Sequence, residues 1–454
     1  MPDVDENRPR LPLRELTTEN LLPYAYALFA DHAGSNSGKA RQMGEAMSYT
    51  VSRLDWTDAS LGVIPTPRGQ LALRASFGSG LATRAEDPLG RVWAVCDRGP
   101  NLKVKIAIER YGLDVLTPLA DVSGAKIMPD PTIGPAIAEL QIDGDTVTLL
   151  RTIRVVDESG SPVMGLPDAS SEHVVLEPVF DIQGQPIGPS SLGLDSEGIV
   201  ALASGGFWIG DEFAPALVRV DDKGQIVQRL VPQQIDHGGG GEVHAGLPAI
   251  AARRQINRGF EALALSGDER SLILAFQSPL AHPDEDAHRR ARHVRLWRLD
   301  TGTGFVTEQY LYPLDRPKTF LRDRMFGPFG REDIKVSEIA WLPGNGLVVL
   351  ERGSATTKLY RVDLDTQSVL QPEHLDIRTR PTIEEMSAAY DMELPVLAKR
   401  LLFSSDDIPE MSADLEGMTF LSPTELLLVN DNDFGVEGGE TSFWRIRFDK
   451  PLWS

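Results

Sequence analysis

The chain has 454 residues, 41% hydrophobic and 24% charged, which is enough to bury a large core. Its net charge of −21, from 45 basic and 66 acidic residues, argues against nucleic acid and anionic lipid as partners. The single cysteine, Cys96, rules out an intrachain disulfide and a thiolate zinc site. No apolar stretch approaches the roughly 20 residues that span a bilayer, so no membrane insertion is expected.

The N-terminus, "MPDVDENRPRLPL", is acidic and proline-rich and lacks the basic start and apolar run of an export signal. Residues 1–47 read as an N-terminal extension and 48–454 as one domain. As written, the chain is expected in the cytoplasm, or in the periplasm or outside the cell if a signal preceded it. "SYTVSRLDW" (48–56) is a strand suited to closing a ring onto the last unit of the chain. "DASLGVI" (58–64) and "RVWAVCDRGPN" (91–101) read as a first, degenerate strand pair, with Cys96 in its core and Asp97-Arg98 closing it. "IAELQIDGDTVTLLRTIRVV" supplies two outer strands.

Four clearer units follow. "DSEGIVALASGGFWIGDE" opens on Glu197 and ends on Asp211-Glu212. "GFEALALSGDERSLILAFQ" opens on Glu261 and ends on Gln277. "VSEIAWLPGNGLVVLER" runs from Glu338 to Glu351-Arg352, and "DLEGMTFLSPTELLLVNDND" from Glu416 to Asp431 and Asp433. Each is strand, polar turn, strand, and then a third strand such as "LYRVDL" or "SFWRIRFD". A sheet of this kind cannot bury both faces alone, but a ring of them can. The expected fold is therefore all-β, a propeller of five or six blades around a central channel. A sixth blade has two places to hide, 102–194 and 366–412. The second of these contains a predicted helix, "TIEEMSAAYDMELPVLAKRLL".

In such a ring, equivalent residues converge on the axis. Glu197, Glu261, Glu338 and Glu416 cannot all ionise together unless a cation or bound protons offset their charge. Oxygen-only clusters suit Ca²⁺ or another hard divalent cation. The candidate ligands are Glu197, Asp211, Glu212, Glu261, Glu338, Glu416 and Asp431, with architecture alone as the competing reading. Arg253, Arg254 and Arg258 crowd ahead of Glu261, where guanidinium groups either grip an anion or neutralise local acid. "HGGGGEVHAG" has the composition but not the Lys-Ser/Thr ending of a phosphate loop, and reads as a flexible loop with His237 and His244 solvated. "AHPDEDAHRRARH" likewise reads as a solvated loop, and no G-x-S-x-G supports a serine hydrolase.

"PAIAARRQINRGFEALALS", "SEGIVALASGGFWIGDEFAPALVRVD", "VSEIAWLPGNGLVVLERG", "DLEGMTF" and "CDRGPN" together resemble the phytase-like, esterase-like bacterial propeller family, from about residue 55 to 450. Three departures are Ala262 where glycine is usual, Gln277 where an acid is common, and "DASLGVI", which lacks the glycine-serine-glycine-like opening. The resemblance implies a hydrolase of a phosphate or carboxylic ester. The expected mechanism is metal-assisted hydrolysis at the channel mouth. Glu197, Glu261 and Asp211 would be catalytic, and Arg98, Arg258 and Arg352 would hold a small anionic ester. The alternatives are a calcium-dependent lactonase and a non-catalytic propeller that binds a ligand or protein.

Overall fold

The computed structural model describes residues 47–167, 176–190, 192–233, 241–389 and 393–453. The extension read over 1–47 lies outside these residues except for Met47, and so do His237 and Gly238–Gly240. Short runs of β-branched and aromatic residues between glycine-rich turns form five antiparallel sheets. The first holds Gly80–Ala82, Arg91–Val95, Ala136–Asp143 and Thr146–Arg154. The second holds Ser196–Ala201, Phe207–Asp211, Ala216–Val220 and Ile226–Pro232, with Glu242–Leu247 added in parallel at its edge. The third runs Phe260–Leu265, Ser271–Phe276, His293–Asp300, Phe305–Pro313. The fourth runs Lys335–Leu342, Gly346–Arg352, Thr357–Asp363, Lys399–Ser404. The fifth runs Leu415–Ser422, Glu425–Asn430, Phe443–Phe448, and its outer strand is Tyr49–Leu54 from the start of the domain.

The arrangement is mostly β and propeller-like. Each sheet's first strand packs against the first strands of two others, in the order one, two, three, four, five, one. The approach is close enough to require glycine. A Cβ on Gly80 would lie 2.5 Å from the Glu197 carbonyl oxygen, and one on Gly198 would lie 2.9 Å from that of Glu261. The side-chain period of two then divides the core between neighbours. In the fifth sheet Leu427, Val429 and Phe443 pack with the first sheet, while Leu426, Leu428 and Trp444 pack with the fourth.

Three expectations are corrected. The first sheet's inner strand is Gly80–Ala82, whereas "DASLGVI" falls in a hairpin, Ser60–Thr66 with Gly69–Arg74, outside that sheet. Only Ile383–Ala388 of "TIEEMSAAYDMELPVLAKRLL" is described as helix, and its end is the fourth sheet's outer strand. Pro395 bars a helix from running through the whole of that segment. "AHPDEDAHRRARH" is ordered around the helix Glu285–Arg290, capped by Asp284, and it buries His282 and His288.

Because strands alternate in direction, connections leave the sheets at two ends. The end where the first strands begin carries the 60–74 hairpin, the helices Val104–Tyr111, Glu285–Arg290 and Leu321–Phe326, and a small sheet of Leu102–Lys103, Lys126–Ile127 and Val179–Phe180. The opposite end has mostly tight turns, such as 202–206 and 343–345, apart from the 364–398 connection of the fourth sheet. Most of the long connections are at the first end, and such connections are where a rigid scaffold usually carries its site.

Candidate cation site at the glutamate end of the sheets

The antiparallel register slips at the start of four first strands: between Ser196 and Ile199, Phe260 and Ala262, Val336 and Glu338, and Leu415 and Gly417. A β-bulge of this kind leaves a residue outside the ladder and re-aims its side chain. The displaced residues include Glu197, Glu261 and Glu416. In the fourth sheet the slip falls on Ser337 instead, and Glu338 re-enters the ladder opposite Leu350. Glu338 therefore takes a different part. Its Oε2 accepts from Leu81 N at 3.2 Å and its Oε1 from Ile339 N at 3.1 Å, so it ties backbone amides together.

Asp195, Glu197 and Glu212 each present a carboxylate oxygen, and the three oxygens lie within 4.8 Å of one another. The corner that brings them together is folded by its neighbours. Glu212 N donates to Asp195 O at 2.9 Å, and Asp211 Oδ1 accepts from Asp195 N at 3.2 Å and Phe213 N at 3.0 Å. Asp211, expected as a ligand and catalytic acid, is thus fully buried and folds the turn. Glu261 belongs electrostatically to the same group and is 2% exposed.

Several oxygens in this group lack hydrogen-bond donors: Glu212 Oε1, Glu261 Oε2, and Gln277 Oε1 just past the strand beside Glu261. Asp195 Oδ2 has only an ion-pair contact, 3.4 Å from Arg98 Nε. Buried acceptors without donors are costly and rare. Burial, and then repulsion from Glu261, raises the Glu197 and Glu212 carboxyls well above the usual range. Such a set of oxygens fits a hard cation, which would supply the missing charge and partners.

The remaining acids are already engaged. Arg352 is buried, and its guanidinium donates to Glu416 Oε1, to Asp414 Oδ1 at 2.9 Å and to Ser337 Oγ at 2.9 Å. Ser337 in turn donates to Glu261 Oε1 at 3.2 Å. Asp431 Oδ1 accepts from Ser76 Oγ and from Asp433 N at 3.1 Å. Arg98 pairs with Glu177 at 2.5 Å, donates to Asn257 Oδ1 at 2.6 Å and stacks 5.0 Å from the Phe213 ring. Two of the three arginines expected to hold substrate, Arg98 and Arg352, are therefore bound to carboxylates. The third, Arg258, donates to the Glu332 carbonyl at 2.6 Å and forms no ion pair among the described residues. Glu351 points away from this group altogether, onto Tyr312 OH, Lys399 Nζ and Asp315 N.

The structure adds Asp195, Ser337, Asp414 and Lys335 to the residues read from sequence. Asp195 and Asp414 had a visible signal, since both stand two residues before a repeated glutamate in "DSEG" and "DLEG". The far ends of the first strands line a cavity of about 290 Å³ with Leu81, Val200, Ala264, Ala340, Trp341 and Thr419, away from the acids.

Residues 76–434 match the phytase-like family, described as "esterase-like activity of phytase". An uncharacterized secreted protein of Arthroderma benhamiae is 28% identical over 327 residues, covering 64% of this chain and 59% of that one. The chain thus matches less than two thirds of that relative's length. Among solved structures, the PQQ-bound aldose sugar dehydrogenase of Streptomyces coelicolor is 11% identical, with 91% of this chain and 100% of that one covered and a TM-score of 0.32. The Dos1 propeller is 9% identical, with 90% and 82% covered and a TM-score of 0.28. Both structures are too distant to argue from. The family match spans most of the chain and includes every residue of the acid group, and on that basis the chain belongs to the phytase-like family.

Proposed function

We propose that residues 48–454 form one closed five-bladed propeller and that the chain is a metal-dependent ester hydrolase acting at the glutamate end of its channel. The cyclic packing of the first strands and the closing strand Tyr49–Leu54 support the blade count and closure. The observation that carries the function is the set of buried oxygens without donors on Glu212 and Glu261, beside Asp195 and Glu197. Asp195, Glu197 and Glu212 would hold Ca²⁺, and Glu261 would border it. A cation there supplies Lewis acidity toward an ester oxygen. Glu261 is the residue best placed to accept a proton, since its Oε1 is fixed by Ser337 and its Oε2 has no donor. Arg352 and Ser337 orient Glu261, and the long connections around the mouth keep bulk water from the site. The secreted relative favours an extracytoplasmic setting, where calcium sites need only modest affinity.

The test is turnover of p-nitrophenyl phosphate and p-nitrophenyl acetate after EDTA treatment, with and without added calcium. Hydrolysis of one of them should appear with calcium and fall at least 100-fold in Glu197→Gln, which keeps the shape and removes a charge. Calcium binding without turnover of either would leave a binding propeller and overturn the hydrolase reading.

A further inference from the structure

Resting on that reading, we infer that Lys335 and Arg258 form the anion-holding side of the mouth and receive the charged oxygens of the substrate. Lys335 is the first residue of the fourth sheet's inner strand, opposite Arg352, and Val336 N is tied to Gln277 O at 2.8 Å in the third sheet. That tie places Lys335 at the junction where Glu261 and Gln277 face the acid group. Lys335 is half-buried beside its cross-strand partner Arg352, and Glu212, Glu261 and Glu416, from three sheets, all feel its charge. It nonetheless closes on none of them within ion-pair distance among the described residues.

Arg258 has the same character. Its guanidinium is held by the Glu332 carbonyl, three residues before Lys335, and feels Glu212 and Glu261 without pairing to either. Among the described residues, Arg98 is paired with Glu177 and Asp195 and Arg352 with Glu416 and Asp414, while Arg254 donates to the Phe213 carbonyl and Lys126 to Asn101 Oδ1. Lys335 and Arg258, neither ion-paired among the described residues, would give the oxygen-rich cation site a second, cationic side. A tetrahedral oxyanion would meet the metal on one side, and an ammonium and a planar guanidinium on the other. A neutral ester would have no use for the second side.

The test is calorimetric titration of the calcium-loaded full chain with phenylphosphonate, a probe that is not hydrolysed. Lys335→Gln should weaken phenylphosphonate binding by about 10- to 100-fold. Lys335→Arg should restore most of it. Calcium itself should bind Lys335→Gln as tightly as wild type or tighter, because a positive charge has left the acid group. A misfolded variant would lose both affinities, whereas the inference lowers only that for phenylphosphonate. Equal phenylphosphonate affinity in wild type and Lys335→Gln, or no binding to the calcium-loaded wild type, would overturn the inference alone. Failure of wild type to bind calcium would overturn the metal reading instead.

Discussion

Glu416 and Arg352 are the pair on which substitution and function are easiest to confuse. Glu416 opens the fifth sheet like the other repeated glutamates, so its sequence position suggests a ligand. Its carboxylate is spent on a buried guanidinium that also holds Asp414 and Ser337. Removing one partner of a buried pair leaves the other charge uncompensated and typically costs several kcal/mol. Asp414 remains with Arg352, so Glu416→Gln should lose about 2–3 kcal/mol in a denaturant melt. Its calcium affinity should change less than that of Glu197→Gln. A larger fall in calcium affinity for Glu416→Gln than for Glu197→Gln would place Glu416 in the cation site. None of this pairing is legible in sequence, because Arg352 and Glu416 lie 64 residues apart and either could have faced solvent.

At the scale of elements, the strands of sheets two to five were legible and the slips in their register were not. "SEGIVA", "FEALAL" and "LEGMTF" show apolar runs behind a glutamate, and each is a first strand. The one-residue bulge that turns Ser337 rather than Glu338 out of the ladder depends on pairing with Gly346–Arg352, which no single strand encodes. The first sheet's inner strand was missed because Gly80–Ala82 is three residues long, too short to show a period. The pairing of Tyr49–Leu54 with the last sheet was legible, and it has a specific consequence for stability. Tyr49–Leu54 covers the open edge of Phe443–Phe448 in full register, from Tyr49 opposite Phe448 to Leu54 opposite Phe443. An uncovered edge of this kind invites pairing with another chain. A chain beginning at Asp55 should melt well below one beginning at Met47 and should self-associate in light scattering. Equal melting temperatures and a monodisperse truncated chain would show that the strand is dispensable.

For the whole molecule, the group of raised carboxyls ties stability to pH and, at the proposed cation site, to metal. Burial, and then neighbouring acids, pushes Asp97, Glu197 and Glu212 well above the usual carboxylate range, and burial does the same to Glu338. The metal-free native state therefore holds protons that the unfolded chain has released. Its stability falls as pH rises from the ordinary carboxylate range toward these raised values. A cation reverses the preference, because it binds the deprotonated group and competes with the same protons. The most direct measurement is a calorimetric calcium titration of the EDTA-treated chain at pH 5 and pH 8, beside Glu212→Gln. Binding to wild type at pH 8, weakened at least tenfold at pH 5 and in Glu212→Gln at pH 8, is the result expected. No binding at pH 8, or an affinity indifferent to both pH and Glu212, would contradict a cation site built from Asp195, Glu197 and Glu212.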